Sequence, residues 1–328
     1  MVSMQDIADR VGVSKSAVSL VLNGKAGNRV SEGTRMRILK AASDMNYQVN
    51  EVARSLRTGQ SGIISVIVTD ISNEFFGRLV SRIQEEAKKQ GYLVLTVNTN
   101  ESADEFASAV RKLMGKHVDG IISVTPPGGL DTLMEIKAAG IPLVLVDRNF
   151  REVGVDFVGV DNYASAKEAV SGLISAGCRR VAYVGRSLDV GTLNERFMGY
   201  EDALKEAGLF GTAPVKFVNF GDNEGDGDVR EAMRELMAPG SDVDAIFFSS
   251  CRMFTQAMGH IPAPVNGGTP DIRLLCFDDA SSYVSSVYPV SYVAQPVADI
   301  ARKAFELLYG RIGGIPGGDE YIFKTKCI

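Results

Sequence analysis

The residues best suited to chemistry in this chain of 328 residues are carboxylates and arginines that directly follow short apolar runs. Asp147 and Arg148 end the run IPLVLVDR, and Asp278 lies at the end of IRLLCFDD. Carboxylates with an arginine fork can bind the hydroxyl groups of a polyhydroxylated molecule. The two aspartates could also serve as general acid and base, but the sequence places no nucleophile beside them. Ligand binding is therefore the simpler interpretation.

A parallel β-sheet is the element that would bring such residues together. From Ile63 onward, short apolar runs alternate with amphipathic helical segments, which predicts an α/β body with right-handed crossovers. A second round of this alternation begins near Asn162. Two α/β lobes in tandem imply a cleft between them, because ligands of such sheets bind beyond the carboxyl ends of the strands.

The front of the chain, MQDIADRVGVSKSAVSLVLNG, has a different pattern that is typical of a helix-turn-helix. Gly12 lies where a positive φ suits a sharp turn, and Ser14 is a suitable N-cap for the second helix. A third helix should follow Ser31 or Thr34. Apolar residues recur at helical period and are predicted to be buried: Ile7, Ala8 and Val11, then Val18, Val21 and Leu22, then Met36, Ile38, Leu39, Ala42 and Met45.

A plain helical hairpin is the alternative to a DNA-binding motif. Lys15, Ser16 and Ser19 stand near the start of the second helix, and no acidic residue occurs from Val11 to Val30. This composition favours a helix that enters the major groove of DNA. Charge agrees with that interpretation, since residues 1–60 carry nine Lys and Arg against five Asp and Glu, whereas residues 61–328 carry 26 against 35.

Composition also argues against several protein classes. The four cysteines and two histidines show no metal-type spacing, so we expect neither metal nor cofactor, and free thiols in a reducing cytoplasm. No apolar run approaches the roughly 20 residues that span a bilayer, and no signal peptide is expected. A Rossmann-type enzyme would need Gly-x-Gly-x-x-Gly after the first strand, where the chain reads VTDISNEFF. A sugar-binding transport protein would need an export signal and no DNA-binding head.

The stretch VSKSAVSLVLNGKAGNRVSEGTRMRILKAASDMNYQVNEVARSLRTGQSGIISVIVTDISNEFF resembles the front of the lactose-repressor/purine-repressor family of bacterial transcription factors. The resemblance implies a three-helix DNA-binding domain over 1–49, a hinge helix and linker over 50–61, and an effector-binding and dimerisation domain over 62–328. The last domain would have the two-lobed fold of periplasmic sugar-binding proteins. One lobe would comprise about 62–161 plus 293–320, and the other about 162–292.

The resemblance also implies roles for individual residues of the head and hinge. Lysine and serine suit base edges, whereas phosphate contacts only position the protein. A leucine from each hinge helix would wedge into the minor groove and kink the duplex. The predicted DNA-binding residues are Lys15, Ser16 and Leu20 at base-reading positions, Ser14, Ser19, Asn23 and Arg29 near phosphates, and Asn50, Ala53 and Leu56 in the hinge, with Leu56 as the wedge. Leu20 stands where relatives often carry arginine, so it would contact a thymine methyl group or no base at all.

Strand ends and the resemblance together predict the effector site. Arg196 lies in NERFMGY, which resembles the family's Arg-x-x-Gly-aromatic signature. Ser250 and Cys251 stand where relatives commonly carry Asn-Asp, so one wall of the pocket should differ. The predicted effector-binding residues are Asn73, Phe76, Asp147, Arg196, Ser250, Asp278 and Gln295.

The expected function is that of a regulator, not an enzyme, which represses transcription by binding double-stranded operator DNA as a homodimer. The C-terminus shows no heptad tail, so a dimer is expected instead of a tetramer. A small ligand, most simply a sugar or sugar derivative, would control operator affinity from the cleft. A purine-like corepressor is the alternative ligand.

Overall fold

The computed structural model describes residues 2–24, 26–47, 59–186, 191–218, 225–261, 272–283 and 289–328. Contacts within the chain separate two compact units, Met1–Ser61 and Gly62–Ile328. Among the helices of the described residues, none combines the length and apolar character that spanning a bilayer requires.

The first unit is a bundle of three short helices: α1 Met4–Val11, α2 Lys15–Leu22 and α3 Glu32–Asp44. Serine hydroxyls cap all three helices, because each accepts a hydrogen bond from a backbone N–H that has no partner within its helix. Ser14 Oγ, for example, accepts from the Ala17 N–H at 3.2 Å. Gly12 ends α1 with φ 74°, the left-handed conformation that the sharp turn requires.

The buried face of α3 differs from the prediction at two positions. Ile38 is fully buried as expected, but Met36 is 59% exposed and Leu39 is 39% exposed. At 100° per residue, Met36 and Leu39 lie about 160° and 100° around the helix from Ile38. The stripe that meets α1 and α2 includes Ala42, as predicted, and also Ala41, which was not predicted; their small side chains allow the helices to pack closely.

The second unit contains two six-stranded sheets. The strands of the first sheet are β1 Ile63–Val68, β2 Leu93–Asn98, β3 Gly120–Ser123, β4 Leu143–Val146, β5 Asp156–Val160 and β11 Glu320–Phe323. Those of the second are β6 Val181–Arg186, β7 Val215–Val218, β8 Ala245–Phe248, β9 Arg273–Phe277, β10 Val290–Ala294 and β12 Lys326–Cys327. The strand order is β11-β5-β4-β3-β1-β2 in the first sheet, which belongs to the first lobe, and β12-β10-β9-β8-β6-β7 in the second sheet, which belongs to the second lobe.

Helices follow most of the strands and cover the sheets. They are α4 Glu74–Lys89, α5 Ala103–Gly115, α6 Leu130–Ala138, α7 Asn162–Ser175, α8 Gly191–Glu206, α9 Gly225–Leu236, α10 Cys251–Met258 and α11 Val297–Ile312. Every residue of β4 and β8 is buried. Continuous apolar strands of this kind are expected where a parallel sheet is covered on both faces.

The chain crosses between the two lobes after β5, after β10 and after β11. Val293 and Ala294 pair with Cys327 and Lys326, the only antiparallel neighbours among the described strand pairs. This ladder keeps residues 293–294 in the second lobe, where the sequence had placed them in the first. Glu320–Phe323 pairs with β5, so the first lobe also extends three residues beyond the predicted end at 320.

Candidate ligand cleft and DNA-binding surface

The carboxyl ends of strands from both sheets face a small cavity between the lobes of the second unit. Five of the seven predicted effector residues line it: Phe76, Asp147, Arg196, Ser250 and Asp278. The cavity has a volume of about 60 Å³, which holds only a few water molecules. A sugar-sized ligand would therefore fit this small cavity only if the lobes moved apart, but a larger cavity of about 690 Å³ shares Asp147, Arg148 and Thr192 with it.

Arg196 is the central cation of this cavity. It projects from α8 and is only 4% exposed. Its Nε donates to Asn162 Oδ1 and its Nη1 donates to the Ser249 carbonyl, both at 2.8 Å. Its guanidinium lies 3.7 Å from the centroid of the Phe277 ring, and its Nη2 is 3.9 Å from Asp278 Oδ1. These contacts fix the arginine fork and hold Asp278 beside it.

The two predicted carboxylates sit in similar backbone conformations but different surroundings. Asp147 and Asp278 have φ of 66° and 76°, a region that costs a residue with a side chain about 1–3 kcal/mol. Asp278 accepts from Gln295 Nε2 at 2.7 Å. Burial raises the pKa of Asp147 to about 6, against the opposing effect of Arg196 and Arg148. The cleft thus holds a carboxylate at a cost in stability, as expected of a binding site.

Two of the predicted residues have supporting positions. Asn73 caps α4, where its Oδ1 accepts from the Phe75 N–H at 3.0 Å. Gln295 is buried and holds Asp278 in place. Neither lines the cavity of about 60 Å³. The sequence does not separate these roles, because helix caps and ligand contacts use the same polar residue types.

Several residues of the cleft were not selected from the sequence: Glu101, Arg186, Thr192 and Arg252. They line the cavity together with Arg148, which the sequence did select as a residue at a strand end. Arg186 is the last residue of β6, so the strand-end rule that selected Asp147 could have found it. Glu101 stands three residues beyond β2 in an irregular loop, where no local pattern marks it.

Charge pairs also join the two lobes around the cleft. Arg252 of α10 donates to Asp70, which follows β1 in the other lobe. Arg78 of α4 and Asp279 approach to 2.5 Å, again across the lobes. Pairs of opposite charge on facing rims favour a closed cleft, and salt screens the more exposed ones.

The predicted base-reading residues of the helix-turn-helix unit differ in their exposure to solvent. Lys15 and Ser16 are exposed at the N-terminal end of α2, as a recognition helix requires. Leu20 is partly buried and packs against the core of the head. Its contact with a base therefore stays a prediction.

The structure describes the predicted phosphate contacts but not the predicted hinge residues. Ser14 caps α2, and Arg29 is exposed. Asn23 Nδ2 donates to the Ser19 carbonyl at 2.6 Å, which ties these two residues to each other at the end of α2. The hinge residues lie outside the described part of the chain: Asn50, Ala53 and Leu56.

Comparison with known proteins gives two family matches. Residues 61–268 match the periplasmic binding proteins and sugar binding domain of the LacI family, and residues 3–50 match the bacterial regulatory proteins of the lacI family. The chain is 29% identical to the ribose operon repressor of Halalkalibacterium halodurans, over 100% of this chain and 96% of that protein. It is 29% identical to catabolite control protein A of Priestia megaterium, over 94% and 91%.

Solved structures share the fold. A lac repressor dimer bound to operator and the anti-inducer ONPF superposes with a TM-score of 0.84 at 20% identity, covering 100% of this chain and 97% of that one. A LacI family transcriptional regulator from Enterococcus faecium with bound ribose gives a TM-score of 0.68 at 21% identity, covering 81% and 96%. At these identities the likeness concerns the fold alone.

Proposed function

The chain belongs to the LacI family of bacterial regulatory proteins, and on that premise we propose that it represses transcription by binding operator DNA under the control of a small ligand. It acts as a homodimer on double-stranded DNA, in the cytoplasm and at the nucleoid when bound. Two-fold symmetry of the dimer matches two operator half-sites. It is a regulator and not an enzyme.

The observation that carries this proposal is the pairing of two sites on one chain. A helix-turn-helix exposes Lys15 and Ser16 at the start of its second helix. In a separate two-lobed unit, Arg196, Asp147 and Asp278 line a cavity between the lobes. The first arrangement reads base edges, and the second binds hydroxyl groups.

The ligand class that fits this cleft best is a sugar or sugar derivative. Aspartate carboxylates accept hydrogen bonds from hydroxyl groups, and the fork of Arg196 donates them. Ribose operon repressors are among the similar proteins, and a solved regulator of similar fold has ribose bound. Phe75 and Phe76, whose ring centroids are 5.2 Å apart, provide an aromatic wall that also keeps a purine-like ligand as the second candidate.

Ligand and operator would be coupled through residues 50–57. We infer that these residues form a hinge helix on DNA, with Leu56 as a minor-groove wedge. Two turns of helix are unstable alone, so a partner must order them. If closure of the cleft changes the spacing of the two first lobes, the hinge helices of the dimer lose or gain their register. Typical coupling of about 1–3 kcal/mol changes operator affinity roughly 5- to 150-fold.

The test begins with selection of a cognate sequence from random DNA by the full chain. Binding to that sequence is then measured in a salt series, with the full chain and with a chain that lacks residues 1–60. We expect binding to require the head and to fall steeply with salt. Addition of D-ribose, cellobiose or a purine base should shift affinity for one ligand class only. Selection of no consensus by the full chain would refute the proposed function.

A further inference from the structure

Glu101 lies inside the cleft between arginines from both lobes. Its two carboxylate oxygens accept from Nη1 and Nη2 of Arg148, each at 2.6 Å. Arg148 follows β4 and belongs to the same lobe. Arg186 ends β6 of the other lobe, and its Nη1 is 3.2 Å from Glu101 Oε1. One carboxylate thus joins a fixed arginine of its own lobe to an arginine that approaches from across the cleft.

We propose that Glu101 is the positioning residue for closure of the cleft: it orients Arg148 at the pocket wall and captures Arg186 when the lobes meet. The importance of closure rests on the proposed function, since it assumes that the cleft binds the controlling ligand. The contacts themselves do not depend on that assumption. Glu101 acts through the two arginines, so its loss should open the cleft without removing a residue already assigned to the ligand.

The surroundings of Glu101 keep it charged. Its side chain is 17% exposed. Burial by itself raises the pKa of this carboxyl, but the hydrogen bonds and charge of Arg148, joined by the charge of Arg186, hold the pKa below its ordinary value. An ionised carboxylate in a partly buried site attracts two guanidinium groups more strongly than an exposed pair would.

The backbone at Glu101 provides a second, independent observation. Asn100 and Glu101 have φ of 49° and 59°, so two consecutive residues with side chains adopt the left-handed conformation. Such conformations persist only where their surroundings impose them, and they concentrate at ligand clamps and switches. The loop is held by Asn98 Nδ2, which donates to Asn100 Oδ1 at 2.6 Å, and by Asn100 Nδ2, which donates to Glu105 Oε2 at 2.9 Å.

This conformation is shared by every carboxylate residue that lines the small cavity in the described part of the chain. Glu101, Asp147 and Asp278 all have positive φ. The fold therefore holds Glu101 toward the cavity in the same manner as the two aspartates of the predicted site.

The outer pair between Arg78 and Asp279 supplies a matched control. It also joins the two lobes, at 2.5 Å, but the Arg78 side chain is 47% exposed. Exposed pairs contribute little because water and salt screen them. The variants Glu101→Gln and Arg186→Gln remove one charge each from the inner contact, and Arg78→Gln removes one from the outer contact.

Closure can be measured in the full chain by electron spin resonance distances between labels on the two lobes. Cys327 is exposed, whereas the other three cysteines are buried. The background variant for labelling is therefore Cys327→Ser. Labels are attached at Asp104→Cys in the first lobe and Ser281→Cys in the second, both exposed positions. Labelled chain is diluted with unlabelled chain, so that distances within one subunit dominate.

We expect Glu101→Gln to lower the ratio of closed to open cleft by about tenfold or more, since it removes charged hydrogen bonds. Arg186→Gln should have a similar effect, and the double variant should add little further. Arg78→Gln should change the ratio by less than about fivefold. Equal effects of Glu101→Gln and Arg78→Gln, or no effect of Arg186→Gln, would overturn the proposal.

Two controls separate this inference from other failures. If Glu101→Gln does not fold, Arg186→Gln decides alone, since it leaves the contact between Glu101 and Arg148 intact. Loss of closure in a chain that selects no operator would support the inference while refuting the proposed function. Normal closure in Glu101→Gln, in a chain that does bind a selected operator, would refute the inference alone.

Discussion

Replacement of Asp147 by asparagine should make the protein more stable at neutral pH, although it removes a charge from the predicted site. Asp147 is buried in the cleft, and its pKa is raised from the ordinary value of 3.8 to about 6. Each pH unit between two pKa values corresponds to about 1.4 kcal/mol of free energy. At pH 7.5 the buried charge therefore costs about 3 kcal/mol, which the neutral asparagine should recover.

The sign of the pH dependence follows from proton uptake. Between pH 4 and 6 the folded state binds a proton at Asp147 that the unfolded state does not, so wild-type stability rises as the pH falls through this range. Above pH 6 both states are ionised at this residue, and its contribution is constant. The advantage of Asp147→Asn should therefore shrink from about 3 kcal/mol at pH 7.5 to about half of that value at pH 5, and to less than about 1 kcal/mol at pH 4.

Urea unfolding of the full chain, followed by circular dichroism at each pH, measures this difference. Thermal unfolding at pH 7.5 provides a second measurement. Each kcal/mol of added stability raises the unfolding temperature by about 2–4 °C, so Asp147→Asn should raise it by about 6–12 °C. Asp242 supplies the matched control, since it also has a positive φ, 53°, but is exposed. Asp242→Asn should change the unfolding free energy by less than about 0.5 kcal/mol. A destabilised Asp147→Asn at pH 7.5, or a pH-independent gain, would refute the reasoning.

Four further variants test the remaining residues. Arg196→Ala leaves Asp278 buried without its arginine, so the unfolding free energy should fall by about 3–5 kcal/mol, and the ligand response should be lost; a retained response would displace the pocket. Lys15→Ala should relax base preference at one position per half-site in a sequence selection, and an unchanged consensus would contradict its reading role. Leu56→Ala should weaken binding to the selected operator far more than binding to random DNA. Equal losses of affinity in a mobility-shift titration would contradict the role of Leu56 as a wedge. Ser14→Ala removes the cap of α2 and should cost the head about 1 kcal/mol in thermal unfolding, with Ser14→Thr as the conservative control.

The acidic residues that line the cavity lower the stability of the fold through their backbone conformation. Asp147, Asp278 and Glu101 all have positive φ. The buried charge of Asp147 is a further cost, because burial raises its pKa. At Glu101 the arginines outweigh burial and hold the pKa below its ordinary value, so the charge of Glu101 stabilises the fold. A site that holds unfavourable backbone conformations and one costly charge is expected where function, and not packing, selects the residues.

Local patterns in the sequence were sufficient for the helix-turn-helix and for the order of strands and helices. Each of these patterns depends on residues only a few positions apart, so it can be recognised in the sequence. Examples are the cap at Ser14, the turn at Gly12 and the alternation of apolar runs with amphipathic segments. Asp147 and Asp278 could also be predicted from the sequence, because each follows an apolar strand. The carboxyl ends of parallel strands meet at one edge of a sheet, so these residues were expected to lie close together.

The tertiary structure decided the features that depend on residues far apart in the chain. Ile38 and not Met36 is buried, because the neighbouring helices determine which stripe of α3 they cover. Val293 and Ala294 stay in the second lobe because a strand more than thirty residues later pairs with them. Glu101 enters the cleft because Arg148 and Arg186 approach it from positions 47 and 85 residues away. Periodicity and caps report only on neighbours in sequence, whereas charge pairs and strand pairing form through space.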